Sequence, residues 1–233
     1  MDIANIILMY VHYAKNTISG NPGSLHVQVI NYILDIKLYI MSSMKVLDLC
    51  TEFGSETAAF RDRGHAVETL GLQGKNLTYI QDVRTFHPTK KYDFITAHPD
   101  CKEFSKANWR AGKCKDRHPD LSVVEACFRI VQEAKPRFWM IENPQGCLRH
   151  FIGRPQYCIR YGDFGHYCQK PTDLWGVLPF FQAMKPNTVI KGHHNVTAYT
   201  NGTRKADQRA LLPYNLSLVI CKAIEDDLQR NEQ

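Results

Sequence analysis

Two side chains of this sequence sit in surroundings suited to chemistry. Cys101 lies in the run His98-Pro-Asp-Cys-Lys-Glu-Phe-Ser105, and Glu142 opens Glu142-Asn-Pro-Gln-Gly146 further along the chain. A thiolate is a strong nucleophile, and a carboxylic acid beside it can deliver a hydrogen bond or a proton to the group under attack. The pair therefore reads as a nucleophile and its acid partner. Taken singly, each has a plainer explanation. Cysteines are commonly buried small hydrophobes, Glu142 suits a satisfied strand-end carboxylate, Asn143-Pro144 suits a turn, and Arg160 suits a surface ion pair.

The flanking elements favour the chemical reading. Lys45 to Leu49 is a short strand-like run, followed by a glycine-containing turn (Thr51 to Ser55) and a helix-compatible stretch from Glu56 to Arg63 that Gly64 is placed to stop. His65 to Leu70 alternates into a second strand, which makes the opening a βαβ unit with a right-handed crossover. Further strands are predicted over Thr78 to Gln81, Tyr92 to Ala97 and Phe138 to Glu142. Between the last two, Val123, Val124, Cys127, Ile130, Val131 and Ala134 recur at helical spacing before Pro136. Near the end, Asn215 is placed to cap a helix with the stripe Leu216, Val219, Ile220, Ala223, Ile224 and Leu228. This alternation predicts an α/β fold with a mostly parallel, doubly wound sheet. In such sheets ligands bind beyond the carboxyl ends of the strands, and the runs beginning at Asp48, His98 and Ile141 all fall there.

Composition narrows the class. The 233 residues allow one sizeable core, and 44% hydrophobic with 22% charged residues is near the globular average. The apolar run Ile6 to Val11 is far shorter than the roughly 18 residues of a membrane span, and no basic segment precedes it as in a secretory signal. A cytoplasmic protein without a membrane partner is expected. Eight cysteines form no C-x-x-C pair, so they read as reduced thiols, and neither they nor His193-His194 nor the Cys158, His166 and Cys168 group match a common zinc spacing. The net charge is +6. Lys102, Lys106, Arg110, Lys113, Lys115 and Arg117 face only Glu103 and Asp116 in one stretch, and Lys185 to Arg209 is a second basic segment. Both suit a polyanion, or equally a solvated loop.

Pro99-Asp-Cys101 with Phe104-Ser105, followed by Glu142-Asn143-Pro144, resembles the catalytic motifs of the DNA cytosine-5 methyltransferases, whose pattern is Pro-Cys-x-x-Phe-Ser after strand four and Glu-Asn at strand five. The resemblance extends to Val46-Leu-Asp-Leu with Gly54, to Asp82, and to Gln156-x-x-x-Arg160, similar to the family's Gln-x-Arg-x-Arg, and spans roughly residues 45 to 224. Phe138 to Gly146 followed by Lys170-Pro-Thr-Asp-Leu-Trp175 looks like compact phage and archaeal members. It implies a Rossmann-like S-adenosylmethionine-dependent methyltransferase fold, a viral or prokaryotic origin, and host cytoplasm if viral. Cytosine C5 is a poor nucleophile until a thiolate adds at C6 while an acid serves N3, roles that fall to Cys101 and Glu142. Asn143 would hold the Cys101 loop, and Arg160 would contact the cytosine carbonyl oxygen or a phosphate. A base within a duplex must be flipped out for this, so the implied partner is double-stranded DNA. The same chemistry also serves RNA or free nucleotides, and no obligate protein partner is implied. Lys102, Ser105, Lys106, Arg110 and Lys113 are the expected DNA contacts.

The resemblance assigns the cofactor, S-adenosylmethionine, to Asp48, Cys50, Thr51, Gly54, Gly71, Leu72, Asp82 and Pro99. Three positions depart from the family pattern. Glu52 replaces a glycine, Cys50 an adenine-stacking aromatic, and Gly71 the acid that accepts from the ribose hydroxyls. An active enzyme with weakened cofactor binding, one using a modified sulfonium, and a retired DNA-binding chain are all compatible with this degenerate loop. Residues 1–43 read as an appendage to a catalytic domain over 44–233, with a small target-recognition insertion near 176–209.

Overall fold

In a computed structural model of the chain, the described residues are 43–74, 76–105, 118–182 and 211–230, and all but Ser43 belong to a compact unit that begins at Met44. The expected appendage, most of the recognition insertion and most of the first basic segment lie outside the described residues.

Seven strands form one sheet. They are β1 (Lys45–Leu49), β2 (Ala66–Gly71), β3 (Tyr79–Ile80), β4 (Phe94–Ala97), β5 (Phe138–Pro144), β6 (Tyr157–Arg160) and β7 (Pro171–Val177), in the spatial order β3-β2-β1-β4-β5-β7-β6. The pairs among β1 to β5 are parallel, whereas β7 runs antiparallel to both β5 and β6. The mostly parallel, doubly wound sheet expected from the sequence is thus present, with one reversed strand inserted next to β5.

Side-chain alternation in the central strands feeds two cores. Leu47, Leu49, Ile95 and Ile141 pack with Val124, Cys127 and Ile130 of α2 (Ser122–Ala134) on one face. Val46, Phe94, Phe138 and Met140 pack on the other against Phe60 of α1 (Ala58–Asp62) and Leu216, Ile220 and Ile224 of α4 (Tyr214–Arg230). Burial on both faces explains why β1 and β4 read as near-continuous apolar runs. A one-turn helix, α3 (Arg149–Ile152), follows β5.

Several boundaries differ from the sequence reading for local reasons. α1 is shorter than Glu56 to Arg63 because Thr57, wholly buried, donates its hydroxyl to Asp48 at 2.7 Å instead of capping the helix. Asn215 is not the cap of α4. The carbonyl of Pro213 accepts from the amides of Leu216 and Ser217, and Asn215 donates its side-chain amide to the Phe164 carbonyl at 3.1 Å. α2 ends as expected before Pro136, with Lys135 in the left-handed region at φ 49°. β5 runs on to Pro144 because β7 pairs with it from Trp139 to that residue, beyond its pairing with β4.

The reversed strand is anchored by a buried charge. Asp173 of β7 is fully buried and receives Arg149 of α3 in a forked pair, 2.5 and 2.6 Å from Nη2 and 3.0 Å from Nε. Removing Arg149, whose own side chain is partly exposed, strands the buried Asp173 carboxylate. Arg149→Ala is expected to lower stability by about 3–5 kcal/mol, read as a fall in the urea midpoint. A loss under about 1 kcal/mol, typical of an exposed pair, would show that this contact does not hold β7.

Candidate active site

A cleft of about 470 Å³ opens at the carboxyl ends of β1, β2, β4 and β5, within the range of small-molecule sites. Of the residues singled out in the sequence, Cys50, Thr51, Gly71, Leu72, Asp82, Pro99, Cys101, Lys102 and Glu142 line it. Asp48, Gly54, Asn143, Ser105 and Arg160 are not among its lining residues. Lys106, Arg110 and Lys113 lie outside the described residues.

The loop carrying Cys101 is fastened to the end of β5. Asn143, fully buried, donates its side-chain amide to the Pro99 carbonyl at 2.9 Å. The Cys147 amide donates to the Phe104 carbonyl at 2.9 Å, and Ser105 bridges to Gly146. A Cβ on Gly146 would lie 2.0 Å from the Phe104 carbonyl oxygen, so only glycine lets the two loops meet this closely. Within its own loop, the Cys101 carbonyl accepts from the amides of Phe104 and Ser105. Burial pushes the Cys101 thiol above its usual range, Glu142 and Asp100 add to that, and the nearby Lys170 ammonium opposes it.

Glu142 is almost wholly enclosed, and every group around its carboxylate is a donor. Tyr161, fully buried, donates its hydroxyl to Oε1 at 2.8 Å, Lys170 Nζ stands 3.8 Å from the same oxygen, and His98 Nδ1 is 3.3 Å from Oε2. Burial acts to raise its pKa, but Lys170, His98 and Tyr161 outweigh it and bring it to about 2. For His98, burial acts downward, yet Glu56, Glu142 and Asp48 lift it to about 9. Asp48 is pushed up to about 7 by burial and the Glu56 charge, against the pull of His98. Its Oδ1 finds no hydrogen-bond partner among the described residues and lies 4.0 Å from His98 Nε2. Buried polar atoms are normally paired, which makes this oxygen a place for a proton.

Three of these residues escaped the sequence reading. His98 stood in a quoted run without a role, Lys170 opened the Lys-Pro-Thr-Asp-Leu-Trp run, and Tyr161 carried no signal. Arg160, expected as the substrate cation, ends β6 on the far side of β7 and is exposed. Lys170 is the cation that lines the cleft. Gln156, which shared the motif with Arg160, binds the Leu178 backbone through both ends of its amide, at 3.0 and 3.1 Å.

On the other side of the cleft, Gly71 packs against the turn after β1. A Cβ there would lie 2.2 Å from the Thr51 carbonyl oxygen, and the Thr51 amide donates to Leu70. This contact leaves no space for an acidic side chain at position 71. Glu52 is bonded to Gln73 at 3.1 Å, and Phe53 and Leu72, 53% and 69% exposed, present apolar surface to the cleft. Cys50 holds φ at 60°, a costly geometry for a side-chain-bearing residue. Asp82 is held ionised by Arg84, which grips it at 2.5 to 3.1 Å. Among the described residues, His65, Cys221 and Glu225 form one further group of potential metal ligands, away from the cleft. There Glu225 is already engaged by Arg63 at 2.7 and 2.8 Å.

Over 127 residues the sequence is 24% identical to the type II methyltransferase M2.ScrFI of Lactococcus lactis subsp. cremoris, a match covering 53% of this chain and 34% of that enzyme. The chain thus spans about a third of the length of the curated relative it matches. No protein-family model matches. Among solved structures, a DNA modification methyltransferase assignment within an E. coli prophage aligns at TM-score 0.43 with 16% identity, covering 58% of this chain and 47% of that one. An S-adenosylmethionine-dependent methyltransferase of Clostridium acetobutylicum ATCC 824 aligns at TM-score 0.28 with 12% identity, covering 53% of each. The strand order, with a reversed strand between β5 and β6, makes a mostly parallel Rossmann-like α/β sheet, as expected from the sequence. The chain is thus similar to a type II methyltransferase over 127 residues, and it carries the Cys101 and Glu142 runs in the order read from the sequence.

Proposed function

We propose that this protein methylates C5 of cytosine in DNA through a covalent adduct between Cys101 and C6 of a flipped base. The observation that carries the reading is the presence of Cys101, Glu142 and Lys170 in one cleft, with Asn143 tying the nucleophile's loop to the strand that bears the acid. Cys101 forms the S–C6 bond as a thiolate, which makes C5 electron-rich. Glu142 takes the N3 and N4 edge of the ring. Lys170 supplies the positive charge for the cytosine carbonyl oxygen, a role the sequence had given to Arg160. Loss of the C5 proton and then of the thiolate restores the aromatic ring. Lys102, exposed beside Cys101, is placed to meet a phosphate.

The same cleft suits S-adenosylmethionine, which when bound supplies the electrophilic methyl group. Phe53 and Leu72 offer flat apolar surface for an adenine, replacing the aromatic missing at Cys50. Asp82 offers a carboxylate, and the packing of Gly71 against Thr51 keeps the turn close to the sheet. Glu52 is drawn to Gln73 and away from the place its charge would oppose a methionine carboxylate. A second reading, a chain that binds DNA without catalysis, draws on the departures at Cys50, Glu52 and Gly71.

Incubation with cofactor and DNA containing 5-fluorocytosine is expected to yield a covalent complex that survives denaturing electrophoresis and disappears in Cys101→Ala. The same assay with 5-fluorocytidine RNA distinguishes the nucleic acid. Bisulfite sequencing of ordinary DNA should report the methylated base. No adduct with either polymer would favour the non-catalytic reading.

Isothermal titration is expected to give a dissociation constant for S-adenosylmethionine or its demethylated product between about 1 μM and about 1 mM. Gly71→Asp, which restores the family's acid, is expected to weaken that binding about tenfold or more, because its Cβ displaces the Thr51 carbonyl (a tenfold loss being about 1.4 kcal/mol). Tighter binding in Gly71→Asp would show that the turn yields and that the missing acid is the true defect.

A further inference from the structure

The Glu142 carboxylate is surrounded by donors, whereas cytosine N3 is itself an acceptor. An ionised Glu142 can take a hydrogen bond from the cytosine amino group but has nothing to offer N3. A proton must arrive from elsewhere as the thiolate adds. Lys170 and Tyr161 both approach Oε1, leaving Oε2 facing one titratable neighbour, His98 Nδ1 at 3.3 Å.

We infer that His98 is a positioning and proton-supplying residue, whose imidazolium re-protonates Glu142 through the Nδ1–Oε2 contact each time Glu142 serves cytosine N3. The inference rests on the cytosine reading above and deepens it. The step balances. The Cys101 thiolate pair forms the S–C6 bond, the C5–C6 π pair moves toward C5, an N3–H bond forms and an Nδ1–H bond breaks. Glu142 ends as it began. The thiolate and imidazolium charges vanish together, so the enclosed site passes from an ion pair to a neutral adduct, and elimination of Cys101 returns the proton to His98.

The groups around His98 support this. From β1, Asp48 lies 4.0 Å from Nε2; from β4, the Thr96 hydroxyl is 2.8 Å from Nε2; from β5 comes Glu142. Glu56 on the turn after β1 acts at longer range, and the Cys50 thiol feels the imidazole charge. The opposing cations are Lys170, beside Glu142, and Arg61, beside Asp48. Glu142 and Asp48 thus stand at the two ring nitrogens and Glu56 adds its charge from farther away, and together they raise the imidazole in the direction needed for a ring that stays protonated at neutral pH. Proton transfer between Nδ1 and Oε2 exchanges the ion pair for a neutral pair without moving a heavy atom, so the pair titrates as a unit.

His98→Asn is the informative variant, because its amide keeps a donor near the Nδ1 position but releases no proton. Rates of adduct formation on 5-fluorocytosine DNA are to be measured from pH 6 to 10. The wild-type rate is expected to rise with pH as Cys101 ionises and to level off near the titration of His98, where loss of imidazolium offsets the gain in thiolate. In His98→Asn the rate is expected to be at least tenfold lower at pH 8 and to show no break in slope in that region, with cofactor affinity by titration calorimetry unchanged within twofold. A purely structural role lowers the rate equally at every pH, and that result, or an unchanged rate, overturns the inference. A wild-type protein that forms no adduct overturns the underlying cytosine reading and the relay with it. Histidine ¹⁵N shifts of the wild-type protein give a readout independent of folding defects in the variant. A protonated His98 at pH 7.5 supports the relay, and a ring already neutral there ends it.

Discussion

A single enclosed carboxylate organises this site. Leaving Glu142 ionised inside the protein would be prohibitive without partners, and the fold brings three of them from three different elements. His98 comes from the loop after β4, Tyr161 from the turn after β6, and Lys170 from the lead into β7. The Lys170 ammonium also lies over the Tyr161 ring at 4.4 Å, so the cation is held by the group that shares its carboxylate. The Tyr161 and Lys170 contacts depend on β7 standing next to β5 rather than at the edge of the sheet. Its insertion beside β5, secured by Asp173 and Arg149, carries Lys170 to the cleft and places β6, which ends in Arg160, on its far side.

That topology explains what the sequence revealed and what it withheld. The central parallel strands and α2 were legible because burial on both sheet faces leaves an apolar run and one helical stripe, both local signals. Cys101 was legible because it follows a strand that points at the cleft, and Glu142 and Asn143 because they stand near the end of another. Lys170 and Tyr161 were not, since their approach to Glu142 depends on an antiparallel register between β5 and β7 that no local pattern encodes. Arg160 is not among the residues that line the cleft. Its motif matched, but the cation that reaches the pocket comes from the neighbouring end of the hairpin, since Arg160 pairs in register with Pro171, one residue past Lys170.

The departures in the cofactor loop have a related logic. Read one position at a time, Glu52, Cys50 and Gly71 look like independent losses. In the structure they belong to one rearranged turn. The Thr51 carbonyl occupies the space beside Gly71, and a Cβ on Gly74 would lie 2.5 Å from the Glu52 carbonyl oxygen, so the turn after β1 and the end of β2 are pressed together along two consecutive peptides. Thr51 locks the arrangement by accepting the Gly54 amide at 2.8 Å and donating to Glu56 at 3.0 Å. The turn that excludes an acid at position 71 also sends Glu52 toward Gln73 and exposes Phe53. A compensated turn of this kind behaves differently under substitution from a decayed one, because an acid returned to position 71 would collide with the Thr51 carbonyl.

The two halves of the cleft are also joined electrically. Glu56 is bonded to Thr51 in the cofactor turn, and its charge reaches both Asp48 and His98, while His98 contacts Glu142. A ligand that shifts the turn after β1 therefore changes the field at His98 without touching it.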